Sequence, residues 1–195
     1  MATVRILLGI ICLIVFGSYR LPGSGTVSHK GLGLHRWQAR QSPEAALQVL
    51  HLARSQLHVR EKTGHNDGSA VEAYLHYVKL EKGAPWCAAF VSWVFGQAGY
   101  SQPLTGWSPA LFPANKRCTN AAPAMVFGIW FPELKRIAHC GFIEKRQGNW
   151  LITIEGNTNV AGSREGDGVY RKYRHIRTVR YFASWLKGKE AGHVN

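Results

Sequence analysis

The sequence predicts an α+β domain in which N-terminal helices pack on a small antiparallel sheet. Residues 42 to 98 carry apolar side chains at helical spacing, bounded by capping residues, Gly and Pro. After Gly99 a long stretch rich in Pro, Thr, Ser and Asn leads into five short, strand-like apolar runs. Helices first and strands afterwards describe an α+β order rather than an alternating one. The chain has 195 residues, 46% of them hydrophobic, which suits one domain with a short extension and not two full domains.

The first segment, Ile6 to Phe16, is apolar and follows Arg5. It is shorter than the ~20 residues of a membrane span and reads as a signal-peptide core. Residues 1–20 are therefore expected to be a signal peptide or short membrane anchor, attached to a membrane through residues 6–19. The protein is then exported to the periplasm, the cell envelope or the exterior. Residues 21–41 mix Gly, Ser, Pro and positive charge without periodicity and read as a linker. The domain is expected over 42–187, with a tail at 188–195.

Ser42-Pro43-Glu44 is a helix start: a capping hydroxyl, Pro at the first helical position and an acid in the first turn. Ala46, Leu47, Leu50, Ala53 and Leu57 continue it. His51 and His58, a heptad apart, read as packed or exposed residues. A polar loop follows, in which Asp67-Gly68 is a turn signal and Ser69 the expected cap of a second helix through Val71, Tyr74, Leu75 and Val78. Asn66 and Asp67 supply two oxygen donors, far short of the roughly six to eight that calcium takes. The third helix begins at Pro85-Trp86-Cys87-Ala88-Ala89-Phe90-Val91 and is punctuated by Gly96 and Gly99. Cys87 falls in its first turn, where unpaired N–H groups and the positive end of the dipole favour a thiolate. On this stretch alone a small buried residue explains Cys87 equally well.

Ser101 to Pro123 reads as a long loop carrying Trp107, Phe112 and Cys118, either the wall of a groove or packing over the core. Strands are expected at Met125–Trp130, Ile137–Glu144, Trp150–Glu155, Val169–Tyr173 and Thr178–Phe182. Residues 145–149 between the second and third strands make a hairpin turn. Counting outward from it places His139 opposite residues 155 to 157, a window that holds Glu155 and Asn157. An acid or amide beside an imidazole fixes the tautomer of a catalytic histidine. It equally satisfies a core one.

Charge and cysteine content narrow the partners. Lys and Arg number 24 against 11 Asp and Glu, a formal net charge of +13, densest at Arg171–Arg177. Such an excess suits an anionic partner. The chain carries no RNA-recognition, helix-turn-helix or zinc-finger signature, so nucleic acid is not expected. Cys12, Cys87, Cys118 and Cys140 are not a disulfide framework and match no zinc spacing. Pairing of Cys118 with Cys140 stays open, and no metal or cofactor is expected.

Taken together, Pro85-Trp86-Cys87-Ala88-Ala89-Phe90-Val91, His139-Cys140-Gly141-Phe142-Ile143 and Ile154-Glu155-Gly156-Asn157-Thr158-Asn159 resemble the CHAP amidohydrolases, relatives of the NlpC/P60 peptidases. The likeness runs over roughly residues 43 to 182. It implies a papain-like α+β fold, with Cys87 as nucleophile, His139 as general base, Glu155 orienting the ring and Asn157 as a fourth polar member. It also implies that the Cys87 backbone N–H donates to the oxyanion. Trp86 and Trp107 are the candidate substrate-contacting residues. The chain departs from the family pattern at Pro123-Ala124, where Gly-Asp is common, and at Cys140, where a small aliphatic residue is usual. The expected activity is cleavage of an amide bond of peptidoglycan through a cysteine thioester, as an N-acetylmuramoyl-L-alanine amidase or an endopeptidase. An immunity protein is a further expected partner if the enzyme is a toxin. The rival expectations are a cysteine protease or acyltransferase acting on protein or lipid, and a non-catalytic basic wall-binding protein.

Overall fold

The computed structural model describes residues 43–161 and 165–186. The expected leader, linker, Ser42 cap and tail lie outside them. Helix α1 spans Pro43–Ser55, with Glu44 in its first turn and Arg54 in its last, both matched in sign to the helix dipole. It buries Val49, Leu50 and Ala53, with Ala45, Ala46 and Leu52 half-buried against the same core. Helix α2 spans Ser69–Tyr77. Ser69 is its first helical residue and not its cap. Gly68 holds the cap position at φ 104, and its N–H donates to Glu72 Oε1 at 3.1 Å. The positive φ suits glycine, so the Asp67-Gly68 turn, rather than a serine hydroxyl, starts the helix.

Helix α3, Cys87–Gln97, differs from both. Eight of its eleven residues are buried, so it is covered on nearly every side, as expected of a helix with no polar face. The helices α1 and α2 lie against it on one side and the sheet on the other.

The sheet has six strands, all pairing antiparallel: β1 (Arg117–Cys118), β2 (Val126–Phe131), β3 (Arg136–Gln147), β4 (Trp150–Thr158), β5 (Gly168–His175) and β6 (Tyr181–Ala183), in the order β1-β6-β2-β3-β4-β5. The α+β order read from the sequence is the observed one. Several boundaries differ. Lys145, Arg146 and Gln147 belong to β3, because Gln147 pairs with Trp150 and the turn shrinks to Gly148-Asn149. The last strand starts later than expected, since Ile176–Thr178 forms a 3-10 turn first. The loop after α3 contains a second 3-10 turn, Ser108–Leu111, and the two-residue β1. Its Phe112 is core, not groove wall.

Each face of the sheet carries its own apolar cluster. The larger joins α1, α2 and α3 to Val126, Cys140, Phe142, Ile154 and Val169. The smaller, Met125, Phe127, Ile143, Leu151 and Phe182, lies under the segments around Cys118 to Ala122 and Ile176 to Val179. Cys118 packs with the second cluster and Cys140 with the first, and neither is in a disulfide. Among the described residues no helix is long and apolar enough to cross a membrane.

Helix α3 and the residue before it meet the sheet closely at Gly156 on β4. A methyl there would stand 2.7 Å from the Trp86 ring and 2.8 Å from Phe90. Gly156→Ala is expected to destabilise the fold by about 1–3 kcal/mol, the usual range for overpacking a filled core. The check is a lower midpoint with an unchanged slope in urea denaturation.

Candidate active site

Cys87 is the first residue of α3, directly after Trp86, whose side chain makes no capping bond to the helix. The helix start therefore keeps its orphan N–H groups around the thiol. Cys87 is 6% exposed and lines a cavity of about 440 Å³ with His139, Asn157, Arg136 and Arg174. Its sulfur lies 3.4 Å from Ser108 Oγ, which the 3-10 turn after α3 delivers.

His139 comes from β3 by way of a bulge. The β2–β3 register steps from Ile129 opposite His139 to Trp130 opposite Ile137, leaving Ala138 as the extra residue. Bulges of this kind re-aim the side chain beside them. On the other side, Phe142 pairs with Ile154, so Gly141 falls opposite Glu155 and His139 lies on its diagonal. A methyl on Gly141 would come within 3.0 Å of Glu155 Cγ. Its absence lets the carboxylate lean to His139, where Nε2 and Glu155 Oε2 are 2.7 Å apart. An ionised carboxylate only accepts, so Nε2 carries the proton and Nδ1 is left for the thiol.

Glu155 is completely buried, and its oxygens are fully engaged. Arg174 donates side-on, Nε to Oε1 at 2.9 Å and Nη2 to Oε2 at 2.6 Å, and Thr153 Oγ1 donates to Oε1 at 2.5 Å. Burial works against this carboxylate, yet the Arg174 and His139 bonds hold its pKa at about 2. Burial likewise works against a charged His139, but its bonds to Cys87 and Glu155 raise it to about 9. The Cys87 thiol lies well below its ordinary range: a bond from Cys140 favours the thiolate, burial opposes it, and His139 and Ser108 add to the first. The arrangement is a thiolate–imidazolium pair with a buried counter-anion. Such a pair supports nucleophilic attack on a carbonyl carbon followed by proton delivery.

Asn157 reaches the same cavity but a different partner. The β4–β5 ladder bulges between Glu155 and Thr158, and Asn157 takes a left-handed φ of 52. Its Nδ2 donates to Asn66 Oδ1 at 3.0 Å. Asn66 is held in turn, with Nδ2 on the Gly83 carbonyl and its backbone N–H on Glu61 Oε2. The second Glu61 oxygen accepts from Trp86 Nε1 at 2.8 Å. This chain of bonds ties the loop before α2 to the residue preceding Cys87. The Trp86 ring is fully buried against Tyr74, so it offers no surface to a ligand and corrects the expectation of substrate contact. Trp107 is 53% exposed, and the Arg136 guanidinium sits 4.3 Å over its ring at the cavity side.

Arg174, Thr153, Ser108 and Asn66 are the site residues that sequence reasoning missed. Arg174 was legible only indirectly: a glutamate inside a strand that is to be buried needs a cation, and the densest basic run lies on the next strand. Among the described residues no cluster of His, Cys, Asp or Glu is arranged to hold a metal ion.

No family model matches the chain, and no curated protein matches it. Among solved structures, the crystal structure of Ly7917 aligns at 16% identity with a TM-score of 0.42. The alignment covers 71% of this chain, which spans 61% of the length of that one.

Two outcomes follow from the buried carboxylate. Arg174→Leu removes both side-on bonds and leaves the buried carboxylate with His139 and Thr153 alone, which is expected to cost about 3–5 kcal/mol in urea denaturation at neutral pH. Arg174→Lys should restore only part, since an ammonium cannot bind both oxygens side-on. Because the folded pKa of Glu155 is about 2 against an ordinary 4.5, the unfolded chain binds the extra proton between them. Its contribution is complete above pH 4.5 and is lost as pH falls towards 2. A denaturation series across that window should show the decline, and Glu155→Gln should flatten it.

Proposed function

We propose that the protein is a cysteine amidohydrolase of the CHAP type, with a papain-like arrangement of helix and sheet, that cleaves an amide bond of peptidoglycan. The observation that carries this reading is the His139–Glu155 contact of 2.7 Å, in the cavity where α3 presents Cys87 at its N-terminus. The resemblance of the three motifs supplies the substrate class. The excess of positive charge favours an anionic polymer, and the apolar Ile6–Phe16 run favours export to where that polymer lies.

The mechanism follows from the protonation states. The Cys87 thiolate attacks the carbonyl carbon, and the developing oxyanion lies against the N–H groups at the start of α3. The imidazolium Nδ1–H gives its proton to the departing amine, leaving a thioester on Cys87. Neutral His139 then takes a proton from water, which attacks the thioester and frees the acid. Glu155 keeps Nε2 protonated throughout, so Nδ1 alone exchanges protons. Arg174 holds the carboxylate in place and in its charged form.

The test is digestion of purified peptidoglycan by the full chain beside Cys87→Ala, with mass spectrometry of released fragments. Fragments from the unsubstituted chain alone are expected, and their new termini name the bond. Activity should fall as pH rises through about 9, where His139 loses its proton. Intact wall in both samples, with casein or a lipid thioester cleaved instead, would move the same cysteine to a protease or acyltransferase. No cleavage of any of these by folded protein would leave a wall-binding role.

A further inference from the structure

The cavity has a cation on its wall that thioester chemistry does not use. Arg136 opens β3 opposite Phe131 of β2, and His139 follows three positions on, opposite Ile129. Ile129, Phe131, Leu134, Arg136 and His139 all line the cavity, so one hairpin carries the imidazole and the guanidinium to the same space. The step along β3 separates these two residues by about 10 Å, roughly the reach of three extended residues of a bound chain.

Two other cations on that wall are already engaged. Arg174 and His139 are both committed to Glu155. Arg136 is in none of the ion pairs among the described residues, Glu165 on the same wall included. Its guanidinium is nevertheless held. Nη1 donates to the Ile137 carbonyl at 3.1 Å, and the central carbon lies 4.3 Å from the centre of the Trp107 ring. Stacking on an aromatic face leaves the N–H edges open. The remaining N–H groups have no partner among the described residues. A fixed planar fork with open N–H groups matches the two oxygens of a carboxylate. Holding the fork in advance reduces the ordering that binding has to supply.

We propose that Arg136, braced on Trp107, binds a carboxylate of the substrate, so that the cavity takes acyl compounds with a free carboxyl group within roughly three residues of the scissile amide. The inference deepens the amidohydrolase reading and rests on it for the bond cleaved, but not for the carboxylate site itself. It gives the enzyme a preference among amide bonds. Those flanked by a free carboxylate are held, and the same bonds beside a carboxamide lose the anchor.

The test has two arms. In the first, Cys87 of the full chain is alkylated by bromoacetyl-aminohexanoate or by the corresponding primary amide, and the rates are followed on the Cys87 peptide by mass spectrometry. The anionic reagent is expected to react about tenfold faster, as one charge-assisted contact allows. The preference should disappear in Arg136→Met and persist in Arg177→Met, an equal loss of charge outside the cavity lining. In the second arm, soluble peptidoglycan fragments are compared with the same fragments after carbodiimide amidation of their carboxyl groups. Amidation and Arg136→Met should each raise KM about tenfold with kcat nearly unchanged, and together cost no more than either alone. Arg136→Lys should recover part of the loss.

Equal alkylation by the two reagents overturns the proposal even where the wall is digested, as does a preference that survives Arg136→Met. Fragments cleaved equally well before and after amidation also overturn it. Should Arg136→Met fail to fold, Arg136→Lys and the reagent pair on the unsubstituted chain decide. A preference that depends on Arg136, in protein that leaves peptidoglycan intact, upholds the carboxylate site while the wall reading fails.

Discussion

The seating of α3 on the sheet at Gly156 is the contact on which the rest of the structure depends. A helix with eight buried residues in eleven has no face to give to solvent, so both its sides must be covered. The sheet covers one side only because β4 offers no side chain where Trp86 and Phe90 descend. That approach fixes the height of Cys87 above β3, and so its relation to His139. Helices α1 and α2 then close the other side, with Tyr74 packed against Trp86, Phe90 and Trp93. Stability and site geometry here share one set of contacts.

A buried carboxylate organises the opposite half. Glu155 has no water to turn to, and Coulomb attraction repays its desolvation only if every lone pair finds a donor. Arg174, Thr153 and His139 provide those donors. One consequence concerns the net charge of +13. Within the basic run on β5, Arg171 is paired with Glu144, Lys172 with the Asn159 carbonyl and Arg174 with Glu155. Much of that run serves internal architecture. The exposed Arg177 at its end is in none of these three pairs.

The helices were legible because their ends carry local signals: Pro43 and Glu44 for α1, Asp67-Gly68 for α2, and Gly83 to Pro85 before α3. The strand pairing of β3 with β4 was legible because antiparallel register can be counted from a short turn. That count led to the window holding Glu155 and Asn157. The bulges were not legible. Ala138 is inserted opposite β2, and Asn157 sits at a positive φ where β4 parts from β5, and both depend on partner strands far along the chain. The burial of Trp86 was hidden too, since an aromatic next to a cysteine looks the same in sequence whether it faces a groove or a core. Its indole bond to Glu61 spans 25 residues. Arg174 read as surface charge because sequence does not show which cation in a basic strand turns inward.

The start of α3 also limits how this protein can be made sturdier. An oxygen-bearing residue in place of Trp86 would ordinarily strengthen a helix by about 1 kcal/mol through its first-turn N–H groups. Here that oxygen would compete for the donors that surround Cys87, and the substitution would release Glu61 from its indole partner. The gain from a cap is thus set against the loss of a fully buried Trp86 and its indole bond. Selection for hardiness, natural or in the laboratory, has to act on other parts of the molecule.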